Sequence, residues 1–416
     1  MKFLLIFTLL TASVAFSLSL KEAKLLALKN HIEAIKGNLD LKKLEEKVKE
    51  IRAKILPTLN FSATYIRWDK NYISAFVPPD KYSASLSLNQ PIFNRAVWTA
   101  LKLAQANKEL QKLFLEEVKV SLLAEVEKLF WAVLLRREIF KEKRESLSYW
   151  KKYFNFVEEK YKKGIIPKYE FLRAKAQLRQ AEADLIKAEA ELKVSLNSLK
   201  SFLGLKKNIH PEGEFGLAYI QLENPLRVLE KNNLTLQILR KTIRVKQLSA
   251  EVQKSEFFPQ VSFFLNYNWE NIMDFKQGRL KEDFRHGYNL GLKVDIPVYE
   301  GGARIAKVMQ EKIEKKKAER ELDFVKVKLS NELKSLLLRL KSVKEEIKAR
   351  KESLIAAEES LRFATERYIS GVGNQVELLD ARKNYENSKI LYLESVFNYN
   401  VIVADLKKLL GLGLFP

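Results

Sequence analysis

Few residues of this 416-residue chain have the type and spacing for bond-making chemistry. There is no cysteine, which excludes disulfides, thiolate metal sites, cysteine nucleophiles and lipid attachment through sulfur. The histidines His31, His210 and His286 stand too far apart to read as a metal cluster. No His-Glu-x-x-His, P-loop or Gly-x-Ser-x-Gly occurs. Gly371-Val372-Gly373 follows a helical stretch and lacks a third glycine, so it is not a dinucleotide loop. The chain therefore reads as a non-enzyme, with no cofactor and no metal.

What does recur is a turn. Residues 161–174 and 368–381 share Tyr, Gly, Glu, Leu and Ala in register: Tyr161, Gly164, Glu170, Leu172 and Ala174 match Tyr368, Gly371, Glu377, Leu379 and Ala381, an offset of 371 − 164 = 207. The same offset links Leu203-Gly204-Leu205 to Leu410-Gly411-Leu412, and Pro91 pairs with Pro297 at 206. The chain is two tandem copies of one unit. After a segment 1–17, copy one covers 18–205, a linker 206–221, and copy two 222–416.

Each copy reads helix, two strands, long helix, turn, helix. Copy one places its helices at about 20–55, 95–160 and 168–202, with strands at 59–68 and 82–90 and the turn at 164–167. Copy two places its helices at about 225–256, 303–368 and 375–410, with strands at 260–269 and 288–296 and the turn at 371–374. From Ala303 to Tyr368 there is neither Pro nor Gly. Leu322, Val325, Leu329, Leu333, Leu336, Leu340, Val343, Ile347, Leu354, Leu361 and Tyr368 recur in steps of three, four and seven, a coiled-coil-like seam about 100 Å long. Val376, Leu379, Tyr385, Tyr392, Val396 and Val403 supply a matching seam beyond the turn, so each copy forms an antiparallel helical hairpin.

A basic start, an apolar run over 3–10 and small residues ending Ala15-Phe16-Ser17 describe a secretory signal peptide, cut after Ser17 or alternatively Ala15. The formal net charge is +22. Segments such as 312–321 mix both signs, and no zinc-finger or RRM signature is present, so the charge reads as solvated helix faces and not as a nucleic-acid site.

The four strands alternate. Leu59, Phe61, Ala63 and Tyr65 oppose Asn60, Ser62 and Thr64; Ala84, Leu86 and Leu88 oppose Ser83, Ser85, Ser87 and Asn89. Val261, Phe263, Leu265, Tyr267 and Trp269 oppose Ser262, Asn266 and Asn268, with Phe264 as the exception; Tyr288, Leu290, Leu292, Val294 and Ile296 oppose Asn289, Gly291, Lys293 and Asp295. Such segments, with Tyr65, Trp68, Tyr82, Tyr267, Trp269 and Tyr288 near their ends as an aromatic girdle, are the signal of an outer-membrane barrel. A soluble sheet with one buried face shows the same alternation. Four strands cannot close a barrel, and an open edge in lipid leaves backbone groups unpaired, so membrane strands require several chains. Segments 69–81 and 270–287 are then external loops.

At this point the sequence resembles the TolC family of outer-membrane efflux proteins. Its opening pattern appears as Leu18-Ser-Leu-Lys-Glu-Ala23-Lys-Leu-Leu-Ala27-Leu28, its last-helix motif as Arg367, Tyr368, Gly371, Leu379 and Ala381, and its Pro-x-aromatic followed by Gly-Gly as Pro297-Val298-Tyr299-Glu300-Gly301-Gly302. Copy one keeps Pro91-Ile92-Phe93 but has Asn94-Arg95 in place of the glycines. The resemblance implies a predominantly α fold with a small transmembrane β part. Three chains would share a 12-stranded β-barrel in the outer membrane of a Gram-negative-type cell, with helical hairpins forming a periplasmic α-barrel tunnel. It implies a homotrimer in outer-membrane lipid that takes cargo from an inner-membrane pump through a periplasmic adaptor, in efflux or type I secretion. It also implies a tip gate and acidic ring at Glu170, Tyr368, Glu377 and Asp380, with Gly373 where the family has an arginine. Adaptor docking falls to the turn residues Gly164, Ile165, Pro167, Gly371, Val372, Gly373 and Asn374. The other reading of the chain is a soluble periplasmic or cytosolic coiled-coil scaffold with a basic surface.

Overall fold

The computed structural model describes residues 16–69, 71, 76–276 and 279–412. In chain order the elements are β1 (Phe16–Leu18), α1 (Leu20–Asn30), α2 (Ile32–Ala53), β2 (Thr58–Arg67), β3 (Asp80–Asn94), α3 (Arg95–Lys162), α4 (Lys168–Phe202), β4 (Ile209–Pro211), α5 (Pro225–Asn232), α6 (Leu234–Ser255), β5 (Gln260–Lys276), β6 (Arg279–Asp295), α7 (Ala303–Ile369) and α8 (Gln375–Leu410). The order repeats as the duplication requires. The backbone repeats too: Gly164 and Gly371 take φ of +71° and +75° at the two turns, and Gly204 and Gly411 take +65° and +63° after the two final helices. This left-handed region is open to glycine at no steric cost.

The structure corrects the elements in three places. The single helices expected over 20–55 and 225–256 are each broken, at His31 and Asn233, whose ψ of 132° and 122° are extended. Asn30 Nδ2 donates to the Leu203 carbonyl at 3.3 Å, and Asn233 Nδ2 donates to the Leu409 carbonyl at 2.9 Å. Each break thus satisfies a carbonyl at the end of its copy's last helix. The linker 206–221 is not wholly irregular: β4 pairs in parallel with β1, Phe16 opposite Ile209 and Ser17 opposite His210. Cleavage after Ser17 would remove two of the three strand residues, whereas cleavage after Ala15 keeps them. The rest of the expected signal peptide, 1–15, lies outside the described residues. Finally, 270–276 and 279–287 are strand and not loop. β5 and β6 pair from Gln260–Asp295 as far as Lys276–Arg279.

The chain divides into two compact units. One holds the described residues up to Gly37 with Leu115–Thr235 and Val325 onward; the other holds Asn38–Phe114 and Leu236–Phe324. In the first, Leu18, Ala23, Ala27, Val126, Phe130, Val133, Leu134, Leu199, Leu203 and Ile209 form the main buried cluster. A capping box at Ser19 and Glu22 fixes where α1 starts. In the second, β2, β3, β5 and β6 form one four-stranded antiparallel sheet in that order. No helix among the described residues is long and apolar enough to cross a membrane.

Candidate functional site

The sheet sorts its residues by face. Reading across β2, β3, β5 and β6, one layer holds Leu59, Leu88, Leu265 and Leu290; the next on the same face holds Phe61, Leu86, Tyr267 and Tyr288. Two residues further along, Ala63 and Ala84 meet Trp269 and His286, and beyond them Tyr65 pairs with Tyr82. The opposite face stacks Asn60, Ser87, Asn266 and Asn289, then Ser62, Ser85, Asn268 and Gly287. Polar neighbours bond along these layers, with Ser62 and Ser85 at 2.7 Å and Asn266 Nδ2 donating to Asn289 Oδ1 at 2.9 Å. Phe264, the exception in the alternation, lies on this polar face opposite Gly291, and a Cβ there would stand 3.0 Å from the Phe264 ring. The glycine makes room for the ring.

The apolar face is not covered. Leu59 is 64% exposed, Phe61 69%, Leu290 57% and Leu292 65%. The expected girdle holds in part: Tyr65 and Tyr82 rings lie 5.1 Å apart near their strand ends, and Tyr267 and Trp269 4.3 Å apart, but Tyr267, Trp269 and Tyr288 lie mid-strand because β5 and β6 run on. β2 and β6 each pair on one side only among the described residues, leaving two open edges. A sheet with one apolar face, one amide and hydroxyl face and two free edges is a segment of a barrel wall.

The two turns lie in the other unit. Gln375 Nε2 donates to the Glu170 carbonyl at 3.1 Å, tying the start of α8 to the start of α4. Tyr368 is buried against Tyr153, Trp150, Val157, Ala174 and Leu378, with its ring 5.8 Å from that of Tyr153. Burial pushes the Tyr368 hydroxyl above the usual tyrosine range, and the nearby Glu170 charge adds to the effect. The structure therefore brings Tyr368 and Glu170 together. The second copy's acids have partners of their own: Glu377 pairs with Arg367 at 3.7 Å, and exposed Asp380 accepts from Asn384. Asn374 caps α8, its Oδ1 accepting from the Glu377 amide at 2.9 Å; Pro167 opens α4 without a side-chain cap. Ile165 and Val372 stand out in solvent, 63% and 71% exposed, beside Gly164 and Gly371. Gly373 has no space for a side chain, since a Cβ would lie 2.9 Å from Arg367 Cβ and 3.1 Å from its carbonyl carbon. Arg367 lies across the place that the family's arginine would need.

The sequence reading missed a buried ionic cluster between α3 and α8. Glu142, 1% exposed, holds both Lys389 and Arg382; Arg382 Nε donates to Glu386 at 2.8 Å, and Ser146 Oγ donates to Glu386 as well. Burial disfavours the Lys389 ammonium, but bonding to Glu142 outweighs it and raises the group. Further along the same pair of helices, Glu127 holds Lys24 at 2.9 Å and Lys407 at 3.0 Å. Arg382, Glu386 and Lys389 recur in steps of four and three beside Leu378, and that periodicity was the available signal.

Comparison with known proteins fits this geometry. The family model described as outer membrane efflux protein matches residues 26–205 and 226–412, one match per copy. No curated protein matches. Among solved structures, the fold is similar to the open-state Neisseria gonorrhoeae MtrE outer membrane channel (TM-score 0.78, 18% identity, 95% of this chain and 89% of that one). It is also similar to the Campylobacter jejuni CmeC outer membrane channel (0.77, 16%, 94% and 85%) and the Vibrio cholerae outer membrane protein VceC (0.76, 16%, 95% and 97%).

Proposed function

The chain belongs to the outer membrane efflux protein family, and we propose that three copies of it close one channel, passing cargo handed over by a periplasmic adaptor and an inner-membrane pump. The observation that carries the assembly is the uncovered sheet. Its apolar face suits lipid and its amide and hydroxyl face suits an aqueous lumen, but its open edges on β2 and β6 are forbidden in hydrocarbon. Because the four strands alternate in direction, β6 of one copy meets β2 of the next antiparallel, so the closed ring keeps one ladder type throughout.

The helix α7 supports the same reading. Its buried residues Leu329, Leu333, Leu336, Leu340 and Ile347 face its own chain. Ile305, Met309, Ile313 and Phe324 in one unit, and Val327, Leu338 and Phe363 in the other, are exposed. At 3.6 residues per turn these seven fall in one stripe about 100° wide, on the side away from the buried seam. A helix with two apolar seams has two neighbours, and the second belongs to another copy. The exposed turn residues Ile165, Val372 and Val376 are the surface for an adaptor's helical ends, and Glu170, Glu377 and Asp380 would repeat around the axis as an acidic ring. The test is electrical. Purified protein added to a planar bilayer gives stepwise conductance from a trimer; a monomer with no steps overturns the reading.

A further inference from the structure

The strand-to-helix junction carries charge that neither the barrel nor a second copy explains. Interatomic contacts bring the ends of four helices to one level there. Gln90 Nε2 donates to the Ile55 carbonyl just past α2, Thr99 of α3 bonds Ser255 of α6 at 2.9 Å, and Arg304 of α7 donates to the Glu256 carbonyl at 2.9 Å. At this level Arg52, Lys54, Arg95, Lys254 and Lys307 are exposed, and none makes an ion pair among the described residues. The acids beside them are mostly committed: Asp295 to Lys293 at 3.0 Å, Glu300 to Arg304 at 2.5 Å, Glu50 to Lys47 at 2.8 Å. Glu256 and, one turn beyond Lys307, Glu311 make no ion pair among the described residues.

Large apolar side chains share the level. Phe93 is 44% exposed, Trp98 52%, Phe257 43% and Tyr299 85%. The Arg95 guanidinium lies 3.9 Å over the Phe258 ring, its charge held at an aromatic surface. Aromatic rings mixed with unpaired cations, directly below the sheet's apolar band, are what a membrane–water boundary selects. Each further copy adds five more such cations to the ring, while most of the carboxylates it brings to this level are already held by its own lysines and arginines. The neutralising partner must be anionic, apolar at one end, and present all round the channel.

We propose that this collar binds anionic glycerophospholipid headgroups of the periplasm-facing leaflet, with the cations on the phosphates and the aromatic rings at the upper acyl chains. The proposal rests on the trimeric channel in the outer membrane. Each Lys or Arg near an anionic lipid surface adds on the order of fivefold in affinity at low salt.

The test uses full-length protein in nanodiscs of equal phosphatidylglycerol and phosphatidylethanolamine, with retained lipid identified by mass spectrometry after extraction. Several-fold enrichment of phosphatidylglycerol is expected. It should fall to parity in a variant carrying Arg52→Gln, Lys54→Gln, Arg95→Gln, Lys254→Gln and Lys307→Gln, and for wild type in about 1 M salt, where the screening length is about 3 Å. A control with Lys328, Lys334, Lys341, Lys344 and Lys351 changed to Gln should keep the enrichment. Equal retention of both lipids by wild type, or enrichment that survives both the collar variant and salt, overturns the proposal. So does displacement by inorganic phosphate at matched ionic strength, which marks a simple phosphate site. Should the collar variant not assemble, the salt titration of wild type decides alone. A wild-type protein that forms no trimer counts against the channel, whereas a trimer without lipid preference counts against the collar only.

Discussion

Gly373 shows how one missing atom redirects a site. A Cβ there would press on Arg367, whose guanidinium already faces Glu377 across the turn. Gly373→Arg is therefore expected to lower hairpin stability by about 1–3 kcal/mol instead of restoring a family contact, as denaturant unfolding would register. Arg367 partly neutralises Glu377, whereas Asp380 has no cation beside it among the described residues. Asp380→Ala is expected to change cation block of the channel more than Glu377→Ala; no effect of either would remove the acidic ring, and equal effects would remove the neutralising role of Arg367. Glu142 makes the strongest single-residue case. Glu142→Ala leaves Lys389 with Glu145 alone, at 3.8 Å, while Arg382 keeps Glu386, and is expected to cost about 1–3 kcal/mol, read from the unfolding midpoint. At this scale the sequence was only partly legible. Tyr368, Gly371 and Glu377 were visible because the duplication prints them twice, whereas Asp380 and Gly373, opposite Arg173 and Ile166 in copy one, were named only through the resemblance. Glu142 was invisible because nothing in a helix of alternating Lys and Glu distinguishes the one carboxylate that a partner helix covers.

The hairpins respond to pH as elements. Tyr153 and Tyr368 are buried with Trp150, Val157 and Leu378, Tyr149 packs against them, and burial is the leading cause that raises all three tyrosines above the ordinary value of 10.0. Lys389 is raised above 10.5 by Glu142 against the opposing effect of burial. A raised group binds its proton more tightly folded than unfolded, so its contribution is complete below the unfolded value and is lost as pH rises through the folded one. Helix content followed by circular dichroism is thus expected to stay level from neutrality to about pH 10 and to fall only above it. A fall beginning near pH 8 would contradict this. At the element scale the long helices were legible, because the run from Ala303 has no breaker and its seam residues are buried or half-buried. The helix breaks at His31 and Asn233 were not, since tertiary bonds to Leu203 and Leu409 set them and neither Gly nor Pro marks them. The outer half of the β5–β6 hairpin was hidden for another reason. Its register sets apolar against polar residues, Asn271 opposite Phe284, Ile272 opposite Asp283 and Met273 opposite Glu282, so no alternation announces a strand.

For the whole molecule, the duplicated chain supplies two pairs of membrane strands and two helical hairpins, and the open edges on β2 and β6 ask for another copy of the chain. The sheet was legible in its faces and its number of strands, and that number forces the assembly. Absence of cysteine makes the assembly measurable on a clean background. One cysteine placed on each outer strand, Asn60→Cys on β2 and Asn289→Cys on β6, can be joined by a flexible bismaleimide in intact cells. The account predicts a ladder on a denaturing gel that ends at three chains, in the outer-membrane fraction. A product confined to single chains, or a soluble protein whose two cysteines join within one chain, would contradict it.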